Sequence, residues 1–174
     1  GNALAYAHSA GVVHRDIKPD NVLIGPYGEV LLLDWGLAKV WHREGAAAST
    51  EGNLPDLDIG VAMTSAGKLQ GSVMYMSPEQ IDREPDIDAR SDIYSLGAVM
   101  YEALTGRTPF TGQVVRKILE DIRDKVPETP SYCGNIKVPK VLSELAMSCL
   151  SKNPNDRPGS AEEVIRVIQH NWAS

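Results

Sequence analysis

No stretch of this chain is long and apolar enough to span a membrane. The most hydrophobic run, Ile93 to Leu104, is interrupted by Tyr94, Ser95, Gly97 and Glu102 and falls well short of the roughly 20 residues a span requires. The opening residues do not read as a secretory signal. Cysteine is scarce. Cys133 and Cys149 are the two present, and they lie in unrelated contexts without metal-ligand spacing, so they read as reduced, buried thiols rather than a disulfide or zinc site. His8, His42 and His170 show no ligand spacing either. Basic residues are outnumbered, 17 Lys and Arg against 23 Asp and Glu, for a net charge of -6. With no basic stripe anywhere, no nucleic-acid or anionic-membrane footprint is expected. Together these absences point to a cytoplasmic chain without a membrane segment.

What is present is enough for one core: 174 residues, 43% of them hydrophobic, which fits a single domain. The start, "GNALAYAHSAG", has Leu4, Ala7 and His8 at helical spacing and Gly11 as a stop, but no capping residue leads in, so it reads as the second half of a helix. Two apolar runs, Val22 to Ile24 and Val30 to Leu33, flank Gly25-Pro26-Tyr27-Gly28 and predict a β-hairpin. From Val40 to Lys68 the composition turns to Gly, Ala, Ser, Thr, Asp and Pro without periodicity, the pattern of a long loop.

Helical periodicity dominates the remainder. Ser91 is a candidate cap for a helix with Ile93, Leu96, Val99, Met100 and Leu104 on its apolar face, ending at Gly106. Further helices are expected over about Gln113 to Arg123, about Lys140 to Leu150, and from Ser160 to about Gln169. In the last, Ser160 and Glu163 form a capping-box pattern. The fold class is therefore mainly α with a small β-hairpin (α+β).

The chemistry-bearing residues crowd around that hairpin. A hairpin returns the chain to its start, so Asn21, just before the first strand, and Asp34, just after the second, lie side by side. An amide oxygen and a carboxylate at one end of a ribbon suit a hard cation such as Mg²⁺. Asp16 and Lys18 precede the ribbon on the same loop. An acid acceptor, a lysine and a metal site are what phosphoryl transfer to a hydroxyl needs, to orient the nucleophile and neutralise the moving charge.

At this point a resemblance is evident. His14-Arg15-Asp16-Ile17-Lys18-Pro19-Asp20-Asn21 resembles the catalytic loop of protein kinases, and Asp34-Trp35-Gly36 resembles their metal-binding D-F-G. Gly71 to Glu79 resembles the segment ending in A-P-E, with Ser77 for alanine. Asp92-Ile93-Tyr94-Ser95-Leu96-Gly97 is similar to the start of the buried central helix of the large lobe, and Arg157-Pro158 to the arginine that pairs with the A-P-E glutamate, here Glu79. The resemblance implies a kinase-like C-terminal lobe over residues 1–174 and an activation segment over 34–79 with a long insert at about 40–68. It implies ATP and Mg²⁺ as cofactors and serine or threonine hydroxyls of proteins as acceptors, since lysine two residues after the catalytic aspartate is the serine/threonine pattern. "YMSPEQ" is a familiar form among bacterial members.

Residue roles follow from the same resemblance. Asp16 would take the proton of the acceptor hydroxyl, Lys18 would contact the γ-phosphate, and Asn21 and Asp34 would hold the metal. Leu23, by default a core residue, would lie beneath the adenine ring. Ser72 would reach Asp16 and Lys18. Asp92 is expected both to cap its helix and to bond the backbone amides of the catalytic loop. His14 is expected to pack and bond locally, and Trp35 to fill the core. Arg15 marks the class ordered by activation-loop phosphorylation, with Thr64 or Ser65 the expected phosphate carriers ahead of Ser49 or Thr50.

The family's N-terminal lobe has no counterpart in these residues. Thirteen residues precede His14 and no G-x-G-x-x-G occurs. The nearest look-alike, Gly60 to Lys68, has six residues between its glycines rather than four and continues with Leu69. The isolated chain is therefore expected to be nearly inactive, because nucleotide positioning supplies much of the catalysis. Two readings stay open: a serine/threonine protein kinase represented by its large lobe, its small lobe supplied from elsewhere, or a non-catalytic module that docks substrates or intact kinases.

Overall fold

The computed structural model describes residues 1–40 and 71–172. Helix α1, Asn2–Ser9, ends where Gly11 adopts φ 74°, a conformation glycine reaches without steric cost. The short strand β1, Val12–Val13, follows. A 3-10 turn at Pro19–Asn21 then feeds β2, Val22–Ile24, which pairs antiparallel with β3, Val30–Leu32. The strand β4, Lys39–Val40, returns to pair with β1. After the region outside the described residues come α2, Pro78–Ile81, α3, Ala89–Thr105, and α4, Val115–Asp124. The strands β5, Tyr132–Cys133, and β6, Ile136–Lys137, form a second hairpin; α5, Lys140–Cys149, and α6, Ala161–Trp172, complete the chain. The architecture is mainly helical, as the periodicity predicts; besides the expected hairpin β2–β3 the described residues hold two further small antiparallel pairs, β1–β4 and β5–β6.

Helix α3 is the axis of the core. One of its faces joins Ile93 to Leu4, Ala5 and Ile17 from the N-terminal segment and to Leu145, Cys149, Ala161 and Val164 from α5 and α6. Another joins Tyr94, Ala98 and Tyr101 to Phe110, Ile118, Ile122 and Leu150. Each fully buried Ile, Leu or Val side chain among these contributes about 1.5–3 kcal/mol. Helices α3 and α5 approach so closely at Gly97 that a Cβ there would lie 2.5 Å from the Cys149 Cβ, so hydrogen is the only substituent that fits.

The cap of α3 is Asp88, whose side chain accepts from Arg90 N, not Ser91, which lies buried inside the first turn. Arg90 folds back to bond both oxygens of Asp88, which fixes that carboxylate at the helix start. Asp92 likewise sits in the first turn and is not the cap. Helix α4 starts at Val115, two residues beyond the expected Gln113. At α6, Ser160 Oγ accepts from Glu163 N, but Glu163 Oε2 accepts from Gly159 N rather than Ser160 N, so the capping box is half formed.

Trp35 is 39% exposed rather than a core piece. Its indole N–H donates to Leu32 O at 3.1 Å and its ring meets His14 edge-on at 4.5 Å, which pins it at the rim. Leu23 is 52% exposed on the hairpin, opposite the equally open Leu31. Of the two thiols, Cys149 is buried but Cys133 is half-buried on the second hairpin.

Candidate active site

The site is built where the loop after β1 crosses the N-terminal turn of α3. Asp92 is fully buried there. Its Oδ2 accepts from His14 N at 2.8 Å and from His8 Nε2 at 2.8 Å, and its Oδ1 accepts from Arg15 N at 2.8 Å. Bonds to a charged acceptor contribute about 1.5–3 kcal/mol each, enough to hold Arg15 at φ 71°, a region non-glycine residues rarely occupy. His14, also fully buried, accepts from Asp16 N through Nδ1 at 3.2 Å and donates from Nε2 to Leu33 O at 3.0 Å. Those partners require the tautomer with the proton on Nε2.

The loop so held presents a compact polar cluster. Asp16 Oδ2 accepts from Lys18 Nζ at 2.8 Å and from Asn21 Nδ2 at 3.0 Å. The same Asn21 nitrogen donates to Asp16 O at 2.7 Å, so its amide hydrogens turn inward and its oxygen is left as an acceptor. Lys18 Nζ also donates to Ser72 Oγ at 3.0 Å, joining the cluster to the segment that precedes α2. Among the described residues no protein donor reaches Asp16 Oδ1.

The hairpin sets the second half of the site. Leu33 N donates to Asn21 O at 2.8 Å, one step beyond the Val22–Leu32 register. That places Asp34 beside Asn21 at the open end of the ribbon. Asp34 adopts φ 57°, and its Oδ1 accepts from Gly36 N at 3.3 Å. An outward amide oxygen on Asn21 and an exposed carboxylate on Asp34 form a hard-oxygen donor set that fits Mg²⁺.

The segment after Ser72 is anchored from below. Glu79 and Arg157 form a buried bidentate pair at 2.5 and 2.9 Å, and Arg157 also donates to Ser151 O, Arg90 O and Lys152 O. Ser77 and Ser91 share a buried hydroxyl bond at 2.6 Å. Gln80 reaches across to the loop, donating from Nε2 to Arg15 O at 2.7 Å. Tyr75 donates to Glu102 Oε2 at 2.6 Å; burial first and this carboxylate second push the phenol well above its ordinary range.

Arg15 carries a half-buried guanidinium whose Nε has no acceptor among the described residues. Burial lowers its pKa from the ordinary arginine value and the charge of Asp92 opposes that shift. The expected phosphate carriers Thr64 and Ser65, with Ser49, Thr50 and the insert at 41–68, lie outside the described residues. Sequence reasoning missed His8, Gln80 and the Tyr75–Glu102 pair. For Gln80 a signal existed: Ser77-Pro78-Glu79-Gln80 is a capping-box pattern.

A lobe whose central helix bonds the loop amides, with an acid, a lysine and an asparagine on that loop, is a phosphotransferase-type arrangement. The protein kinase domain model matches residues 1–173, and the chain belongs to the protein kinase family, a family of transferases. It is 42% identical to the serine/threonine-protein kinase PknD of Protochlamydia amoebophila over 97% of its own length. It is also 42% identical to the serine/threonine-protein kinase PknL of Mycobacterium tuberculosis over 91%, and 36% identical to the serine/threonine-protein kinase pkn3 of Myxococcus xanthus over 97%. The chain covers 17%, 35% and 29% of those relatives respectively. Among the described residues no helix is long and apolar enough to cross a membrane.

Proposed function

We propose that this chain is the catalytic-loop lobe of a serine/threonine protein kinase, transferring the γ-phosphoryl group of ATP to serine or threonine hydroxyls of protein substrates. The observation that carries the reading is the Asp16–Lys18–Asn21–Ser72 cluster at the mouth of the hairpin that bears Asp34. The bacterial serine/threonine kinases to which the chain is similar support the choice of acceptor.

Asp16 Oδ1 takes up the proton as the acceptor hydroxyl oxygen bonds to the γ-phosphorus and the bond to the bridging oxygen of ADP breaks. Lys18 holds Asp16 Oδ2 in place and carries the positive charge next to the moving phosphoryl. Asn21 Oδ1 and the Asp34 carboxylate would hold Mg²⁺, which when bound would neutralise charge developing on the phosphate oxygens. Leu23 and Leu31, paired across the ribbon, offer an apolar surface for the adenine ring. Ser72 orients Lys18 from the segment side.

Within this reading residues 34–79 are the activation segment, and phosphate on Thr64 or Ser65 is the partner of Arg15. The test uses the full polypeptide that carries these residues, a protein acceptor and labelled ATP. Replacement Asp16→Asn is expected to lower kcat between about a hundredfold and ten-thousandfold, the range for loss of a general base. Transfer at the unaltered rate in that variant would refute the assignment.

A further inference from the structure

We propose that Gln80 is a positioning residue for Asp16: its side-chain amide clamps the left-handed Arg15 peptide and couples the end of the activation segment to the catalytic loop. The inference rests on the kinase reading above. It starts from the peptide plane between Arg15 and Asp16, whose rotation would swing the Asp16 side chain. That plane is gripped at both ends. Its carbonyl, Arg15 O, accepts from Gln80 Nε2 at 2.7 Å, and its N–H, on Asp16, donates to His14 Nδ1 at 3.2 Å.

The Arg15 backbone at φ 71° is a strained conformation that persists only where its surroundings hold it. Asp92 holds the plane before Arg15 through Arg15 N; Gln80 holds the plane after it. The carboxylate's own partners, Lys18 and Asn21, belong to the same loop and move with it. Gln80 is different, because it belongs to the segment 65 residues further along the chain.

Gln80 is itself tightly placed. Its Oε1 accepts from Ser77 N at 3.0 Å while its own N donates to Ser77 Oγ at 3.3 Å, the reciprocal box that starts α2. A backbone N–H on one side and a carbonyl on the other fix which way the amide points. On either side of it, Ser77 is tied to Ser91 of α3 and Glu79 to Arg157. The amide therefore transmits the position of a rigid base to the Arg15 carbonyl. Only an amide serves both partners. Glutamate would keep the bond from Ser77 N but set a carboxylate oxygen against the Arg15 carbonyl oxygen; alanine would lose both.

That difference separates positioning from mere capping. In the full polypeptide, Gln80→Glu is expected to lose less melting temperature than Gln80→Ala, because the cap survives. Its kcat is expected to drop at least tenfold with KM for ATP and protein acceptor within twofold, the signature of a misplaced catalytic group. Gln80→Ala is expected to lose both kcat and melting temperature. In parallel, amide hydrogen exchange followed by NMR is expected to show the Asp16 N–H exchanging at least fivefold faster in Gln80→Glu, with the α3 amides unchanged. A Gln80→Glu enzyme with kcat within twofold of an active wild type overturns the proposal. If the wild type transfers no phosphoryl group, the kinase reading itself fails, and the exchange result alone decides the clamp: unchanged protection at Asp16 overturns it.

Discussion

The buried Glu79–Arg157 pair offers the sharpest test of how this lobe is held together. Arg157 is fully buried and engages all five guanidinium N–H groups: two on Glu79 and one each on Ser151 O, Arg90 O and Lys152 O. Replacing it with leucine strands the buried Glu79 carboxylate and takes the donor from three half-buried carbonyls. Breaking such a pair from one side costs about 3–5 kcal/mol, a large part of the roughly 5–15 kcal/mol that stabilises a domain. Glu79→Gln keeps one acceptor but turns an NH₂ group against a guanidinium N–H, and is expected to cost about 2–4 kcal/mol by the same reasoning. The double variant removes both charges at once, so its loss should fall at least about 2 kcal/mol short of the sum. Urea unfolding followed by far-UV circular dichroism, with all four proteins at equal m-value, measures the cycle. Additivity within about 0.5 kcal/mol, or an Arg157→Leu cost below about 1 kcal/mol, would refute the reasoning.

Two further outcomes follow from packing and titration. Gly97→Ala gains up to about 1 kcal/mol of helix propensity, but its methyl would sit 2.5 Å from the Cys149 Cβ and 3.3 Å from the Cys149 carbonyl carbon. Overpacking should win by about 1–2 kcal/mol, measured as a lower urea midpoint; an unchanged or higher midpoint would contradict the contact. Lys152 is pulled down to about 8, by burial first and by Arg157 second, while Asp124 opposes. Its Nζ donates to Ile122 O and lies 4.6 Å from the Phe110 ring centroid, which tempers the shift by favouring the charged form. The folded state then binds fewer protons than the unfolded state between about pH 8 and the ordinary lysine value of 10.5. Stability therefore rises with pH across that window, and the full penalty is present below it. Because the amine is about half exposed, about 1 kcal/mol is expected after screening. Urea unfolding at pH 8 and pH 10 should show this rise in wild type and lose it in Lys152→Met; equal slopes would exclude Lys152 as its source.

The legible part of the site was the local part. Asp16, Lys18, Asn21 and Asp34 fall within nineteen residues of one another, and a hairpin juxtaposes its own ends whatever the rest of the chain does. The bonds that hold the cluster are of another kind. His8 meets Asp92 across 84 positions and Gln80 meets Arg15 across 65, and no period or spacing encodes such pairs. The α3 cap turns on a local detail: Asp88 and Ser91 both precede the apolar run, and Arg90, which binds Asp88 from the side, decides between them. Trp35 stays at the rim despite its size because an indole N–H needs an acceptor and Leu32 O supplies one there. The strand pair β1–β4, two residues on each side, is too short for alternation to register.

Arg15 at φ 71° and Asp34 at φ 57° bracket the hairpin, and neither conformation is a local preference of the chain. Asp tolerates the left-handed region through its short side chain, here bonding Gly36 N; arginine has no such means. What offsets the Arg15 strain comes from elsewhere in the fold, through Asp92 on α3 and Gln80 on α2. Helix α3 is in turn fixed by the core on two faces, and α2 by Glu79 on Arg157. The loop geometry on which Asp16 depends is therefore stored in the helical core. A core substitution that tilts α3 should disturb Asp16 before it unfolds the lobe, because the strained peptide is the first element to relax when its two external bonds lengthen.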